Sequence, residues 1–167
     1  LIDKYPDKAK EELTDIQNTS RHALKEVREM ISNMKHVSLK EELHVVENIL
    51  NMSGINSEFN MDVDIEDTPM LIENILSMCL RESVNNVVKH SKAANCSIDL
   101  TETKGDILLK VTDDGKTEDM NFIYGNGLAG MKERLSFING EFQAVNSSDG
   151  FEINIAVPKV LKEIEED

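Results

Sequence analysis

The sequence predicts a two-layer α+β sandwich with one further helix standing outside it. Three observations carry this reading. The hydrophobic period changes from helical to two after Ser91. The strands that follow are joined across short turns, at Lys104-Gly105-Asp106 and at Ser147-Ser148-Asp149-Gly150, as hairpins are. The first 36 or so residues carry a heptad seam and no strand signal. Strands joined mainly as hairpins imply a mixed, mostly antiparallel sheet, with the helices gathered on one face.

Taken in order, Tyr5-Pro6-Asp7 starts a helix with proline in its first turn, and helical patterning runs to about Lys35. Within it Leu13, Ile16, Ser20, Ala23, Val27, Met30 and Met34 recur at heptad spacing. The small Ser20 and Ala23 weaken a self-sufficient coiled coil, so one member of a bundle is the favoured reading. An amphipathic helix packed on its own domain is the alternative. Ser38-Leu39-Lys40-Glu41 has the spacing of a capping box and opens a second helix that ends near Gly54. A strand is expected over 55–64, and Thr68-Pro69 starts a long helix to Ser91. Cys96, Ile98 and Leu100 alternate with polar residues and form a hairpin with 107–111. Periodicity vanishes over 115–126, and a helix returns over 128–139. A last hairpin spans 141–146 and 151–157, and Pro158 ends it. The expected division is therefore 1–36 as a bundle helix, 37–160 as the sandwich and 161–167 as an acidic, disordered tail.

Composition excludes several function classes. With 18 basic against 32 acidic residues the net charge is −14, so the surface repels nucleic-acid backbones and no basic patch offsets this. Any phosphate ligand needs local donors and a metal ion. No apolar run approaches the roughly 20 residues of a membrane helix, and no signal peptide is recognisable. The chain as given is expected to be soluble and cytoplasmic. Cys79 and Cys96 sit in apolar periodic segments without metal or redox spacing, which reads as two buried thiols in a reducing compartment. The start at Leu1-Ile2-Asp3 suggests a piece of something longer.

The chemistry concentrates in three places. On one face of the long helix Ile75, Cys79, Glu82, Asn86 and Lys89 stack, so a core stripe turns into a carboxylate, an amide and an ammonium. Packed without partners, such groups would cost about 1–3 kcal/mol each. A cleft resolves the conflict: Glu82 can orient or deprotonate an attacking group, the amide oxygen of Asn86 can ligate a hard cation such as Mg2+, and Lys89 suits phosphate. A helix end that simply reaches solvent is the plainer reading. The second place is Val111-Thr112-Asp113-Asp114-Gly115, either a turn or a strand end whose Asp113 accepts a hydrogen bond from an exocyclic amine. The third is Gly125-Asn126-Gly127-Leu128-Ala129-Gly130-Met131, where glycines let backbone N–H groups approach phosphates at a helix start. It is neither a Walker loop nor a dinucleotide fingerprint.

Glu82-Ser83-Val84-Asn85-Asn86-Val87-Val88-Lys89-His90, Asp113-Asp114-Gly115 and the run from Gly125 through Met131-Lys132-Glu133-Arg134 together resemble the N, G1 and G2 boxes of sensor histidine kinases. The detail of the boxes resembles the DesK-like branch that works with NarL-type response regulators. The resemblance covers about residues 11–158 and implies the histidine-kinase/gyrase-type ATP-binding fold. It implies Mg2+ ligation by Asn86, help to the acceptor histidine from Glu82, and adenine recognition by Asp113. It further implies that Gly115, Gly125, Gly127, Leu128 and Gly130 surround ATP with Lys89 near the phosphates, and that 116–124 form a short mobile lid. The helix of residues 1–36 would be the second of a dimerisation and phosphotransfer bundle.

The same resemblance implies that the acceptor histidine precedes residue 1, since His22, His36, His44 and His90 lack the acidic setting the family uses. The implied activity is transfer of the ATP γ-phosphoryl to a histidine and then to a regulator aspartate. This piece would bind ATP without phosphorylating itself. The complete protein would be a homodimer, anchored to the cell membrane by segments outside this chain. Two departures stand out: Lys116-Thr117 replaces the second glycine of the G1 box, and Gly150-Phe151 stands where Gly-Thr is frequent, which would weaken nucleotide affinity. An anti-sigma-type protein kinase, or a non-catalytic nucleotide-gated module of the same fold, is the alternative, and the heptad seam speaks against it.

Overall fold

The computed structural model describes residues 38–66, 68–115, 126–147 and 149–159, together with residues 8, 10, 12–14, 16–18 and 20. The chain divides into two compact units, Leu1–Lys35 and His36–Asp167. In the first unit the described residues are helical. Leu13 and Ile16 of the predicted seam are 61% and 62% exposed. The rest of the seam from Ala23 onward, the 116–125 segment and the 161–167 tail lie outside the described residues.

The second unit contains α1 (Leu39–Met52), β1 (Asn56–Asp62), α2 (Met70–Asn86), β2 (Asn95–Thr103), β3 (Asp106–Asp113), α3 (Asn126–Ser136), β4 (Glu141–Ser147) and β5 (Gly150–Pro158). The strands form one sheet in the order β1-β2-β3-β5-β4. β1 and β2 pair in parallel across the α2 crossover, and every other pair is antiparallel. A mixed, mostly antiparallel sheet is the architecture that the hairpin-joined strands predict.

Register decides which face is buried. Ile98 pairs with Val111 and Val111 with Ile153, while Leu100 pairs with Leu109 and Leu109 with Ile155, so these side chains stand on one face. All are buried, together with Val46 and Leu50 of α1, Ile72, Ile75, Leu76 and Leu80 of α2, and Met131 and Leu135 of α3. The other face carries Asp99, Lys110 and Asn154 in one cross-strand row. A salt bridge of 2.8 Å from Lys110 to Glu152 lies on that uncovered face.

One predicted detail fails. Ser38 is the N-cap of α1, but its side chain makes no capping hydrogen bond. The N–H of Leu39 instead donates to Oε1 of Glu73, 2.8 Å away on α2. A tertiary carboxylate at the helix start satisfies the orphan donor and favours the helix dipole, so the local box is not needed.

Candidate functional site

Helix α2 crosses the sheet and delivers its polar end to the ends of β3 and α3. Along the stripe Ile75 and Cys79 are fully buried, Glu82 is half-buried, and Lys89 is exposed. Asn86 is 8% exposed, and its buried Nδ2 has no hydrogen-bond partner among the described residues. The plainer reading, a helix end reaching solvent, therefore describes Lys89 but not Asn86. After Asn86 the helix widens into a π-helical turn, Val87–Ser91, and stops at Lys92 in the left-handed region at φ 53°. π-turns inside helices are frequent at functional sites.

Glycines bring the walls together. A Cβ on Gly127 would collide with Oε1 of Glu82 and lie 3.0 Å from its Cδ, so the carboxylate of α2 is seated on the first turn of α3. At the next residue of α2, the Ser83 hydroxyl donates to the Cys79 carbonyl at 2.8 Å and lies 3.8 Å from the Met131 sulfur, where α3 packs on α2. A Cβ on Gly115 would collide with the carbonyl of Ser91, and one on Gly150 with the carbonyl of Asp113. Gly150 has φ +140°, a conformation that side chains rarely adopt. The end of β3 is thus clamped between the close of α2 and the start of β5.

Asp113 is buried at that clamp, 3% exposed, and accepts a 2.9 Å hydrogen bond from the Gly115 N–H. Burial raises its pKa above the ordinary 3.8, hydrogen bonds from Gly115 and Ser91 pull against the rise, and the Asp114 charge adds to it. Asp114, the next residue, points the other way. Its carboxylate takes N–H bonds from Ala94 at 2.8 Å and Asn95 at 2.9 Å, and the Asn95 amide at 2.6 Å, and these bonds hold its pKa down. It therefore acts as a clasp between β2 and β3, leaving Asp113 as the acceptor facing inward.

The predicted residues sort accordingly. The structure brings Glu82 to Gly127 and Asp113 to Gly115, and one helix joins the two pairs through Asn86 and Ser91. Leu128 is buried with the core, Gly130 lies on α3, and Gly125 lies outside the described residues. Ser91 and Gly150 were missed as contributors to the Asp113 environment. Their only sequence signal is position, at a helix close and at a hairpin exit. Phe151 pairs directly with Asp113 and is buried on the same face, so an aromatic ring replaces the hydroxyl often found there. The Ser91 hydroxyl donates to the Val87 carbonyl at 2.9 Å and acts on the Asp113 charge from the helix side.

Both cysteines are free and buried, and burial pushes each thiol up to about 12, as inert core thiols require. A shallow cavity of about 440 Å3 opens at the same strand ends, between Asn56, Asn95, Thr112 and Asp113. Glu58, Asp114 and Asp149 also line it, and such a set of carboxylates repels phosphate.

The two-layer sandwich is the fold shared with histidine kinase catalytic domains. The histidine kinase domain of the Erythrobacter litoralis blue-light activated histidine kinase superposes with a TM-score of 0.58 at 18% identity, over 73% of this chain and 65% of that one. A family profile described as histidine kinase (HisKA_3) matches residues 1–39. The chain is 41% identical to the sensor histidine kinase DesK of Bacillus subtilis over 164 residues, 97% of this chain and 44% of DesK. It is 36% identical to the sensor histidine kinase YvfT of the same organism, over 94% of this chain and 42% of YvfT. The chain is similar over nearly its whole length to these sensor histidine kinases, and it spans less than half of theirs.

Proposed function

We propose that the cleft between α2, the close of β3 and α3 binds Mg-ATP, and that the longer protein transfers the γ-phosphoryl to a histidine and then to a response-regulator aspartate. The observation that carries this is the buried, unpartnered NH2 of Asn86 on the helix whose close, at Ser91, meets Gly115 beside the buried carboxylate of Asp113. An orphaned buried donor costs about 1–3 kcal/mol unless a ligand completes it. A phosphate oxygen accepts from its NH2, and its carbonyl oxygen suits a hard cation such as Mg2+.

Asp113 accepts a hydrogen bond from the exocyclic amine of adenine, and its orientation is set by the N–H of Gly115. The free N–H groups at the start of α3, around Gly127, favour an anion. Lys89, exposed at the π-turn, adds positive charge on the phosphate side. Glu82 orients the incoming imidazole or takes its proton, and catalysis rests otherwise on positioning and on neutralising charge. Mg2+, when bound, supplies the Lewis acid for the phosphoryl group.

None of the chain's histidines is proposed as acceptor. Residues 1–36 are read as a bundle helix, 37–160 as the catalytic domain and 161–167 as a tail. Homodimerisation through the bundle, a NarL-type regulator as partner and membrane anchoring by further segments complete the reading. It is supported by the exposed Leu13 and Ile16 and by the relatives' length. Among the described residues no helix is long and apolar enough to cross a membrane.

Isothermal titration with Mg-ATP tests the site. The chain should bind with a 1:1 heat that Asn86→Asp abolishes, because a carboxylate repels the phosphates and lacks the donor. Absence of heat with the folded wild-type chain would sink the ATP reading.

A further inference from the structure

The reading of Glu82 leaves open what holds its carboxylate ready. Helix α3 answers with two glycines on one side, Gly127 and Gly130, three residues apart and so about 5–6 Å from each other along the helix surface. Gly127 seats the Glu82 carboxylate. Gly130 seats a guanidinium: Nη2, Nη1 and Cζ of Arg134 lie 3.5, 3.7 and 3.8 Å from the position a Cβ would take. All three atoms are at nearly one distance, so the group lies flat across the glycine. This is the direction a side chain four residues later takes, back toward the start of its helix.

We propose that Arg134 is a positioning residue for Glu82, its guanidinium seated on Gly130 one turn along α3 from the carboxylate's own seat on Gly127. Among the described residues the side chains of Arg134 and Glu82 make no hydrogen bond or ion pair. Both charges act on one buried group of α2: burial pushes the Cys79 thiol up, the Arg134 charge pulls it down and the Glu82 charge pushes it further up. The remaining charged residues of α3, Lys132 and Glu133, are exposed and do not face this seam.

The geometry gives Arg134 a task that packing alone does not explain. A guanidinium at one turn's distance attracts the carboxylate along α3 without locking it into an ion pair. A carboxylate that must orient or deprotonate an imidazole needs that freedom to turn toward the acceptor. Gly127 is then required for the carboxylate to lie against the helix, while at Gly130 the guanidinium rests in ordinary van der Waals contact.

The proposal rests on the assignment of Glu82 to phosphoryl transfer, so the test separates the two. The rate of autophosphorylation at saturating Mg-ATP and the KM for ATP are measured in the complete kinase for wild type, Arg134→Met, Arg134→Lys, Glu82→Gln and the double variant Glu82→Gln with Arg134→Met. Arg134→Met should lower the rate by about tenfold or more, a fraction of the 10²–10⁴ a general base contributes, and leave KM within about twofold. Arg134→Lys should recover most of the rate, and it stands in if Arg134→Met does not fold. In the double variant the loss should equal that of Glu82→Gln alone, because a residue that acts through Glu82 has nothing left to act on.

A wild-type rate in Arg134→Met beside a dead Glu82→Gln overturns the proposal and spares the Glu82 assignment. A KM that rises with the loss of Arg134 makes it a phosphate ligand and overturns it too. A wild-type rate in Glu82→Gln removes the Glu82 assignment, and this proposal with it.

Discussion

On the α1 side of α2, Glu42 and Glu73 are buried and both are satisfied, Glu42 by the guanidinium of Arg81 through both oxygens and Glu73 by the Leu39 N–H. On the α3 side, Glu82 makes no hydrogen bond among the described residues and Asn86 keeps a buried, unpartnered NH2. The same helix thus carries a closed seam and an open one. In the closed seam polar groups are consumed by the fold. In the open seam glycines bring backbone and carboxylate together and leave donors for a ligand. Unsatisfied buried polarity, more than polarity itself, marks where function lies.

The largest expected effect comes from breaking the closed seam. Arg81→Met strands the Glu42 carboxylate, which is 1% exposed, and should cost about 3 kcal/mol of unfolding free energy. That is the lower end for a broken buried pair, since Arg81 is half exposed. Urea unfolding measures it, and ATP affinity should not change. A loss of binding in a folded Arg81→Met would blur the distinction between the seams.

Gly127→Ala should act in the opposite sense. Alanine is the better helix former by up to about 1 kcal/mol, so the melting temperature should hold or rise. The Glu82 carboxylate must leave its seat, and the phosphoryl transfer rate should fall by about tenfold, roughly 1.4 kcal/mol of barrier. A variant that melts early, or that transfers at the wild-type rate, would show that the contact is incidental.

The smallest effect sharpens the comparison at one pair of neighbours. Burial raises the pKa of Asp113, so its native state holds the proton more tightly than the unfolded chain does. Stability from this group declines as pH rises from the unfolded value of about 3.8 toward the raised one, while the ionised acceptor that adenine needs appears only above it. Asp114, held down by Ala94 and Asn95, contributes stability that is present above 3.8 and lost only as pH falls through its lowered value. Nucleotide affinity should therefore fail on acidification before the β2–β3 clasp does. Titration of ATP binding between about pH 6 and 4, with circular dichroism alongside, checks this order.

Much of the fold is legible in local pattern. The change of period after Ser91, the two hairpin turns and the polar end of the α2 stripe each follow from adjacent residues. The three boxes name Glu82, Asn86, Asp113 and Gly127 as candidates by their types and spacing. The capping box at Ser38 is the instructive failure. Ser-to-Glu spacing is a local signal, and it loses to a carboxylate 34 residues away that no window around Ser38 contains. The contacts of Ser91 with Gly115 and of Gly150 with Asp113 escape local pattern for the same reason, because each joins two elements.

The sequence by itself determined the period of each element, the net charge of −14 and the kinds of group available for phosphate chemistry, because these are read along the chain. Only the tertiary structure decided that β1 joins in parallel, that Asp113 turns inward while Asp114 clasps β2, and that two glycines of α3 seat a carboxylate and a guanidinium. Those outcomes depend on which buried polar groups find partners, and the partners are brought together by packing.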